Sequence, residues 1–341
     1  MKTCPIPISD YPKVLMAHGS GGKLMQQLIE KMFFAAFGKS DNPHDGFVFE
    51  NNGKLAFTTD SYVVKPLFFK GGDIGSLAVN GTVNDLASCG AKPLYLSASF
   101  IIEEGFAMED LWQIVQSMKA TADESGVKVV TGDTKIVDKG SADGIFINTS
   151  GVGEIMCDYS ISPASVKDGD VVIVSGDIGR HGIAIMAERE GLTFESDIKS
   201  DCASISKPIA DLIAAGVELH CVRDATRGGV SAVLNEIAQS SNLCIEIDES
   251  AIPIGNEVKS ACELLGFNPL EVANEGCFIA FVEKKDVEQS MGIMQEHEIC
   301  KKSCVIGKVS TKNRGIVIIK TLIGGNHILS MPSGELLPRI C

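Results

Sequence analysis

Apolar residues recur at helical spacing in several segments of the chain. Residues 23–37 carry an apolar side chain every three or four positions, which predicts a helix that ends at Gly38. Residues 73–90 show the same pattern, with Asp73 as the capping residue and Gly90 after the last turn. The other predicted helices lie at 108–126, 183–190, 206–215, 229–240 and 255–265.

Runs of β-branched and apolar residues between these helices predict strands. Residues 54–64 form the first strand, with an interruption expected at Asp60, and residues 315–331 form a last hairpin. The other predicted strands lie at 93–102, 127–137, 144–155, 243–247, 276–283 and 304–309, and one more begins at residue 171. Because the regular βαβ repeat of a parallel sheet is missing, we expect an α+β fold with mixed sheets.

The length of 341 residues favours two domains. Residues 157–170 contain turn-forming residues and little periodicity, which indicates a boundary there. We therefore predict an N-terminal domain at 1–160, a C-terminal α+β domain at 161–330 and a mobile tail at 331–341. The tail has two prolines and ends in a thiol, that of Cys341.

The composition indicates which cellular compartment and which classes of partner to expect. The net charge of −14 disfavours nucleic acid or an anionic membrane as the main partner. The 11 cysteines are odd in number and scattered, which fits a reducing cytosol better than a disulfide framework. The first residues lack the apolar stretch of a secretory signal, and no apolar run approaches the ~20 residues of a membrane span. We expect a cytoplasmic protein.

A glycine-rich turn, HGSGGK, precedes the first predicted helix. Its residues Gly19, Ser20, Gly21 and Gly22 let backbone N–H groups approach a phosphate at a helix start, although a simple helix-entry turn has the same composition. The spacing is not that of a Walker P-loop. His18 and His181 each lie beside a glycine turn, where a phosphate contact and a structural role are equally compatible.

Several aspartates follow apolar runs. Asp60, Asp133 and Asp177 each stand at an expected strand end, and Lys135 comes two residues after Asp133. Asp85 lies on a predicted helix beside Asn84. One such aspartate is usually a turn former, but converging carboxylates hold Mg²⁺ together with the phosphates of a nucleotide. The repeated T-x-D arrangement favours a Mg–nucleotide site.

Three further segments carry charged or nucleophilic groups. Residues 223–229, RDATRGG, place two arginines before a helix, which fits either an anion-binding corner or a capped helix start. Glu275 precedes a strand and is by itself an exposed loop acid. His297, Cys300 and Cys304 are too few for a structural zinc site, so a solvated helix end is the simpler interpretation.

Together these motifs resemble a known family. HGSGGK, TTDSYVV, VVTGDTK, RDATRGG, ANEG and the terminal PRIC are similar to the HypE family, the carbamoyl dehydratases of [NiFe]-hydrogenase maturation, over essentially the whole chain. The ATP-site motifs are shared with aminoimidazole ribonucleotide synthetase, selenophosphate synthetase and thiamine-phosphate kinase. The terminal PRIC is therefore the discriminating element.

The resemblance implies an aminoimidazole ribonucleotide synthetase-like fold that dimerises through its N-terminal sheet and binds ATP and Mg²⁺ in a cleft near the dimer interface. It implies nucleotide-binding roles for Gly19, Ser20, Gly21, Gly22, Asp60, Asn84, Asp85 and Asp133, of which Asp60, Asp85 and Asp133 would hold the metal. It implies catalytic roles for Cys341, Lys135 and Glu275. Arg180 departs from the pattern, because an acid or small polar residue is expected there.

The implied reaction explains a thiol at the end of an arm. A carbamoyltransferase, HypF, would place a carbamoyl group on Cys341. ATP-dependent dehydration would convert it to a thiocyanate, and the cyano group would pass to iron on a HypC–HypD scaffold.

Two alternatives differ in what they require of Cys341. Another ATP-dependent synthetase or kinase acting on a small molecule would not need it. A non-catalytic nucleotide-binding assembly factor would still support assembly with serine in its place.

Overall fold

The computed structural model describes residues 11–39, 46–191, 198–333 and 339–341. Its first part contains β1 (Leu55–Tyr62), β2 (Phe68–Phe69), β3 (Gly72–Asp73), β4 (Ala91–Glu103), β5 (Lys128–Val137) and β6 (Ile145–Ile155). Its helices are α1 (Lys23–Leu28), α2 (Phe34–Phe37), α3 (Ile74–Ser88) and α4 (Met108–Glu124), with a π-helical turn at Ile29–Phe33 between the first two. The main sheet has the order β1–β6–β4–β5, and only its β4–β5 pair is parallel.

One face of this sheet is covered and the other is open. On the covered face, Thr149 of β6 donates a hydrogen bond to the Ala78 carbonyl oxygen of α3. On the open face, Phe57 is 70% exposed and Ile101 is 45% exposed. Strand alternation explains the division, because successive side chains point to opposite faces.

The second part contains β7 (Val171–Val174), β8 (Leu219–Asp224), β9 (Cys244–Asp248), β10 (Phe278–Val282), β11 (Cys304–Ser310), β12 (Val317–Lys320) and β13 (Asn326–Leu329). Its helices are α5 (Arg180–Glu190), α6 (Ser206–Ala214), α7 (Gly229–Ser241), α8 (Asn256–Leu265) and α9 (Val287–Gln295). The sheet order is β13–β12–β9–β11–β7–β10–β8, and only β12–β9 is parallel. The predicted α+β fold with mixed sheets is confirmed. Among the described residues, no helix is long and apolar enough to cross a bilayer.

Most predicted elements agree with the structure, and the differences have local causes. Residues 23–37 are helical throughout, and Asp73 caps α3 by accepting hydrogen bonds from the N–H groups of Gly75 and Ser76. The expected interruption at Asp60 is wrong, because β1 continues to Tyr62 in unbroken register with β6. Helix α9 was not predicted, since its short, glycine-containing sequence has weak apolar periodicity.

One buried amide that connects the two parts of the chain lies beside the Glu275 loop. Asn84, on α3, is 1% exposed. Its Nδ2 donates to the carbonyl oxygens of Ala203 and Glu275, each at 3.0 Å, and its Oδ1 accepts from the N–H of Ile205 at 2.9 Å. These contacts fix the loop that carries Glu275 against the first part of the molecule.

We expect Asn84→Ala to lower the free energy of unfolding by about 2–3 kcal/mol, because it leaves buried backbone groups unpaired. Urea unfolding of the full chain measures this change. Asn51→Ala is the matched control, since Asn51 is only partly buried and its amide nitrogen makes one local bond, to the Gly53 carbonyl. Equal losses in the two variants would contradict the connecting role of Asn84.

Candidate active site

Four carboxyl groups from separate elements meet where the two parts of the chain adjoin. Asp60 comes from β1, Asp85 from α3, Asp224 from the end of β8 and Glu275 from the loop before β10. Thr58 Oγ1 donates to Asp85 Oδ2 at 2.8 Å, which fixes that carboxylate against β1. We call Asp60, Asp85, Asp224 and Glu275 the carboxylate cluster.

Burial and mutual repulsion raise the pKa values of Asp85, Asp224 and Glu275 in this cluster. Burial, and then the charge of Asp85, raise the pKa of Asp224 to about 7. Burial is also the main reason why the pKa of Asp85 is raised, and Asp60 adds to the effect. The pKa of Glu275 lies well above its usual value, first because it is buried and next because Asp224 is near. Such a group of acids stabilises a bound cation or protons.

Glu275 is 2% exposed, and its Oε1 has no hydrogen-bond partner among the described residues. Its backbone is held by Asp201, whose Oδ2 accepts from the N–H groups of Glu275 and Gly276 at 3.2 and 3.0 Å. A Cβ at Gly276 would lie 2.0 Å from the Asp201 carbonyl oxygen, so only glycine fits. Glu275 is therefore a positioned buried acid with a free oxygen, and not the exposed loop acid that its sequence context suggests.

The end of the chain docks beside this cluster. The carbonyl oxygens of Cys341 and Arg339 accept hydrogen bonds from the N–H groups of Val63 and Lys65, each at 3.2 Å, just beyond β1. Ile340 is 2% exposed and packs in the core of the first part. Its carbonyl oxygen lies 2.8 Å from His181 Nε2.

His181 is fully buried and neutral in this arrangement. Burial lowers the pKa of His181 below its usual value, against the opposing effects of Asp201 and the Ile340 carbonyl. Because Nε2 faces a carbonyl oxygen, it carries the hydrogen, and Nδ1 accepts from Ser200 Oγ at 2.8 Å. His181 is thus a docking residue for the tail, which decides between the two roles that its sequence allowed.

The docked position changes the description of the tail. Residues 334–338 lie outside the described part of the chain, but 339–341 have backbone and side-chain contacts. The Arg339 side chain donates to the Val63 carbonyl at 2.9 Å and pairs with Asp143. The prediction of a mobile tail at 331–341 did not include these contacts of its last three residues. The backbone N–H groups of Val63 and Lys65, just beyond β1, bind the tail.

The docked position strongly favours the protonated form of the Cys341 thiol. Burial raises its pKa to about 12, and the neighbouring Glu275, Asp60 and Asp224 carboxylates contribute while Arg227 opposes them. These same charges place Cys341 within electrostatic range of the carboxylate cluster. The docked site therefore accepts a neutral sulfur group and disfavours a thiolate.

The other predicted site residues lie at the opposite edge of the first sheet. Asp133 and Lys135 are on β5, and Lys135 Nζ is 2.7 Å from Asp133 Oδ2. Three strand spacings separate β5 from β1, about 14 Å. Asp60 is in register with Thr149, Ala98 and then Gly132, so Asp133 points to the other, open face. Within one chain, Asp133 and Lys135 do not meet Asp60 and Asp85.

The glycine-rich turn lies near β5 as well. A Cβ at Gly19 would be 2.7 Å from Ile136 Cγ1, so the absence of a side chain permits this close approach. Gly21 has a φ of 80°, a value that favours glycine. Asp133 and Lys135 lie on β5 and the glycine turn lies beside it. We call Gly19, Ser20, Gly21, Gly22, Asp133 and Lys135 the β5 group.

Other sequence-based candidates are occupied elsewhere. The three backbone bonds of Asn84 leave its amide little capacity for a nucleotide. Asp177 pairs with Arg180 at 3.2 Å and with Lys302 at 2.9 Å, which gives the unexpected arginine a structural partner. His297 lies 3.1 Å from Asp211. The strand-end position holds for Asp177 but is wrong for Asp60 and Asp133, which are inside strands.

Sequence reasoning missed some residues that shape this site. Asp201 carried no motif, and its role depends on a contact 74 positions away in sequence, with Glu275. Asp224 and Arg227 belong to the RDATRGG segment, which was considered an anion-binding corner or a helix start. The end of β8 brings Asp224 to the cluster, a signal that the strand pattern could have provided.

Comparisons with known proteins agree with this architecture. Residues 43–155 match the family model "AIR synthase related protein, N-terminal domain", and residues 167–320 match the corresponding C-terminal domain. The carbamoyl dehydratase HypE of Rhizobium leguminosarum bv. viciae is 46% identical over 334 residues, which cover 96% of this chain and 95% of the relative. The chain belongs to the HypE family.

Two solved HypE structures are similar to the whole chain. A hydrogenase maturation protein HypE in complex with ATP has a TM-score of 0.92 at 42% identity, covering 96% of this chain and 99% of that one. A chain of a HypE–HypF complex has a TM-score of 0.79 at 47% identity, covering 89% of this chain and 99% of that one. Both agree with the family membership.

We expect Ile340→Ala to release the tail. Loss of a buried isoleucine side chain costs about 2 kcal/mol or more, which corresponds to roughly 30-fold more undocked tail. The maleimide alkylation rate of Cys341, located by peptide mapping, should rise accordingly at pH 8. Ile328→Ala is the control, because Ile328 is 59% exposed. Equal rates in Ile340→Ala and the parent chain would rule out the docked state in solution.

The same thiol predicts a pH dependence. Its docked pKa of about 12 exceeds the usual 9.0, so the docked state binds more protons between these values. Docking should therefore be strongest below pH 9 and weaken progressively towards pH 12. Hydrogen exchange at the Val63 and Lys65 amides, compared with that in Cys341→Ser after correction for intrinsic rates, measures this. A pH dependence unchanged by the substitution would contradict the assignment.

Proposed function

We propose that this chain carries a carbamoyl group on Cys341 and uses ATP to dehydrate it to a thiocyanate, whose cyano group becomes a ligand of the [NiFe] centre. The observation that supports this most is the docking of the terminal thiol within electrostatic range of Glu275 and two aspartates. A relative named carbamoyl dehydratase HypE at 46% identity supports the same reaction.

The neutral environment suits a loaded tail. A thiocarbamate and a thiocyanate carry no charge on sulfur, whereas a free thiolate is disfavoured there. Carbamoylation needs a nucleophilic sulfur, so it belongs to the undocked tail in the site of a carbamoyltransferase. The related HypE that was solved with HypF supports HypF as that enzyme. Delivery to iron on a HypC–HypD scaffold is the corresponding later step.

The proposed dehydration proceeds through phosphorylation of the thiocarbamate. Phosphorylation of the thiocarbamate oxygen by ATP converts a poor leaving group into phosphate. Removal of the protons on nitrogen and departure of phosphate leave S–C≡N, with ADP and phosphate as the other products. Glu275 is the proposed proton acceptor, because its buried carboxyl group has a free oxygen near Cys341.

The carboxylate cluster fits a hard divalent cation. Asp60, Asp85 and Asp224 offer oxygen donors. Burial, and then repulsion from neighbouring carboxylates, raise the pKa values of Asp85 and Asp224, and a bound cation would relieve that repulsion. Mg²⁺ bound there would supply charge neutralisation for a nucleotide phosphate. Relief of the repulsion from Asp224 also lets Glu275 ionise more readily, which suits its role as a base.

A homodimer would reconcile the two separated groups of residues. The open face of the first sheet exposes Phe57 and Ile101, and a second copy would bury them. We propose that this dimer brings the β5 group of one copy to the carboxylate cluster of the other, where Lys135 and Asp133 contact the phosphates of ATP. The solved ATP complex of a related HypE supports ATP as the nucleotide.

The decisive test of the function is mass spectrometry of the full chain after incubation with the carbamoyltransferase, carbamoyl phosphate and ATP. We expect a carbamoyl and then a cyano mass on Cys341, and neither in Cys341→Ser. Glu275→Gln should accept the carbamoyl group and slow its dehydration by about 10²–10⁴-fold. Dehydration at the parental rate in Glu275→Gln would exclude it as the base. Modification of an internal cysteine would overturn the proposal.

Subunit complementation tests the composite site. Asp85→Ala and Lys135→Ala should each be inactive alone. In a mixed dimer, the carboxylate cluster of the Lys135→Ala chain meets the β5 group of the Asp85→Ala chain, and this site has neither substitution. An equal mixture should recover about a quarter of parental dehydration, because half of the dimers are mixed and each has one intact site. Asp85→Ala mixed with Asp60→Ala is the control and should recover nothing. Absence of recovery in the first mixture would assign both residues to one chain.

A further inference from the structure

One buried histidine away from the candidate active site has an unpaired ring nitrogen. His220, on β8, is 2% exposed, and its Nε2 has no hydrogen-bond partner among the described residues. Its Nδ1 lies 2.8 Å from Asp170 Oδ2. Because an ionised carboxylate only accepts, Asp170 selects the tautomer of the neutral ring that has its hydrogen on Nδ1, and in that tautomer Nε2 can bind a metal ion.

Two carboxylates face Nε2 of His220. Glu218 Oε1 lies 3.5 Å and Glu283 Oε1 lies 3.9 Å from His220 Nε2. Glu218 immediately precedes β8 and Glu283 immediately follows β10, and these neighbouring antiparallel strands pair Leu219 with Val282. The sheet register therefore brings the three side chains together at one end of the two strands.

The spacing suits a small metal ion. The three potential ligand atoms lie within 4.8 Å of one another. Ligands about 2.0–2.1 Å from a tetrahedral zinc ion lie about 3.3–3.4 Å apart. The distances from Nε2 need shorten by only a few tenths of an ångström, and Asp170 holds the ring as carboxylates hold metal-bound histidines.

We propose that Glu218, His220 and Glu283 form a site for one divalent transition-metal ion of the Zn²⁺ or Co²⁺ class. One imidazole and two carboxylates match the ligand preference of these ions, and the two negative charges favour a dication. Three protein ligands leave at least one coordination position for water or another ligand.

A lysine beside the site competes with the metal. Lys167 Nζ lies 3.3 Å from Glu218 Oε1 and 3.9 Å from Glu283 Oε1. Its side chain is half exposed, so the ion pairs are weak and the ammonium group can move into solvent. Removing this positive charge should therefore tighten metal binding, whereas removing a carboxylate should weaken it.

The site is distinct from the nucleotide-metal site. Glu218 immediately precedes β8 and Asp224 ends it, and the four residue steps from His220 to Asp224 correspond to roughly 13 Å. A metal there would join the ends of β8 and β10, and through Asp170 the start of β7. The inference does not depend on the proposed dehydratase reaction.

The test is Co²⁺ binding to the full chain, measured by equilibrium dialysis with excess Mg²⁺ to fill the oxygen-only sites. Thiolate ligands add intense near-ultraviolet charge-transfer absorption to Co²⁺, which separates this site from the 11 cysteines. We expect one Co²⁺ per chain without that absorption. Glu218→Gln and Glu283→Gln should each weaken binding at least about tenfold, and Lys167→Met should tighten it.

His297→Gln is the matched control, because His297 faces a single carboxylate, that of Asp211 at 3.1 Å, and should leave binding unchanged. His220→Gln should abolish the site, but the half-exposed glutamates decide the outcome should that buried substitution prevent folding. Co²⁺ affinity equal in the parent chain and both glutamate variants would overturn the proposal. So would a spectrum dominated by thiolate absorption or weaker binding in Lys167→Met.

Discussion

Repulsion among buried carboxyl groups is the constraint on which the candidate site depends. Asp224 and Glu275 are buried and Asp60 and Asp85 are partly buried, so their like charges repel one another and need compensation. Protons, a bound cation or Arg227 must provide it, and the raised pKa of Asp224, about 7, reflects this. A fold retains such a group of acids where a cation or a proton transfer makes use of it.

The docked tail follows from the same constraint. A terminal thiol beside these acids stays protonated, so the site is matched to the neutral forms of a sulfur carrier and not to its nucleophilic form. His181 and the backbone beyond β1 hold the tail through hydrogen bonds between uncharged groups. These bonds add no charge beside the carboxylate cluster. The few contacts of residues 339–341 can therefore break together when the tail leaves the docked position.

The connection between the two parts of the chain through Asn84 also uses an uncharged group. Asn84 satisfies three backbone groups with one uncharged amide, directly beside the buried acids. A carboxylate there would add to the repulsion, and an apolar residue would leave the carbonyl oxygens of Ala203 and Glu275 without this partner. The amide that resembled a nucleotide ligand in sequence thereby positions the loop that carries Glu275.

Much of the fold could be predicted from local patterns. The helix at 23–37 and the Asp73 cap follow from apolar periodicity and capping chemistry, which act over a few residues, and the irregular alternation of helices and strands indicated mixed sheets. The terminal PRIC, with the other motifs, indicated the family. The sequence alone could not show whether Asp60 and Asp133 share a site, since both occur in the same T-x-D setting.

What the amino-acid sequence determined by itself is therefore the set of elements and the chemical groups available, because propensity, periodicity and capping are local. Only the tertiary structure decided which groups meet. Strand order placed Asp133 on the far edge and on the other face from Asp60, and contacts distant in sequence joined Asp201 to Glu275 and His181 to the tail. Sheet register and burial set these distances, and both are properties of the packed chain.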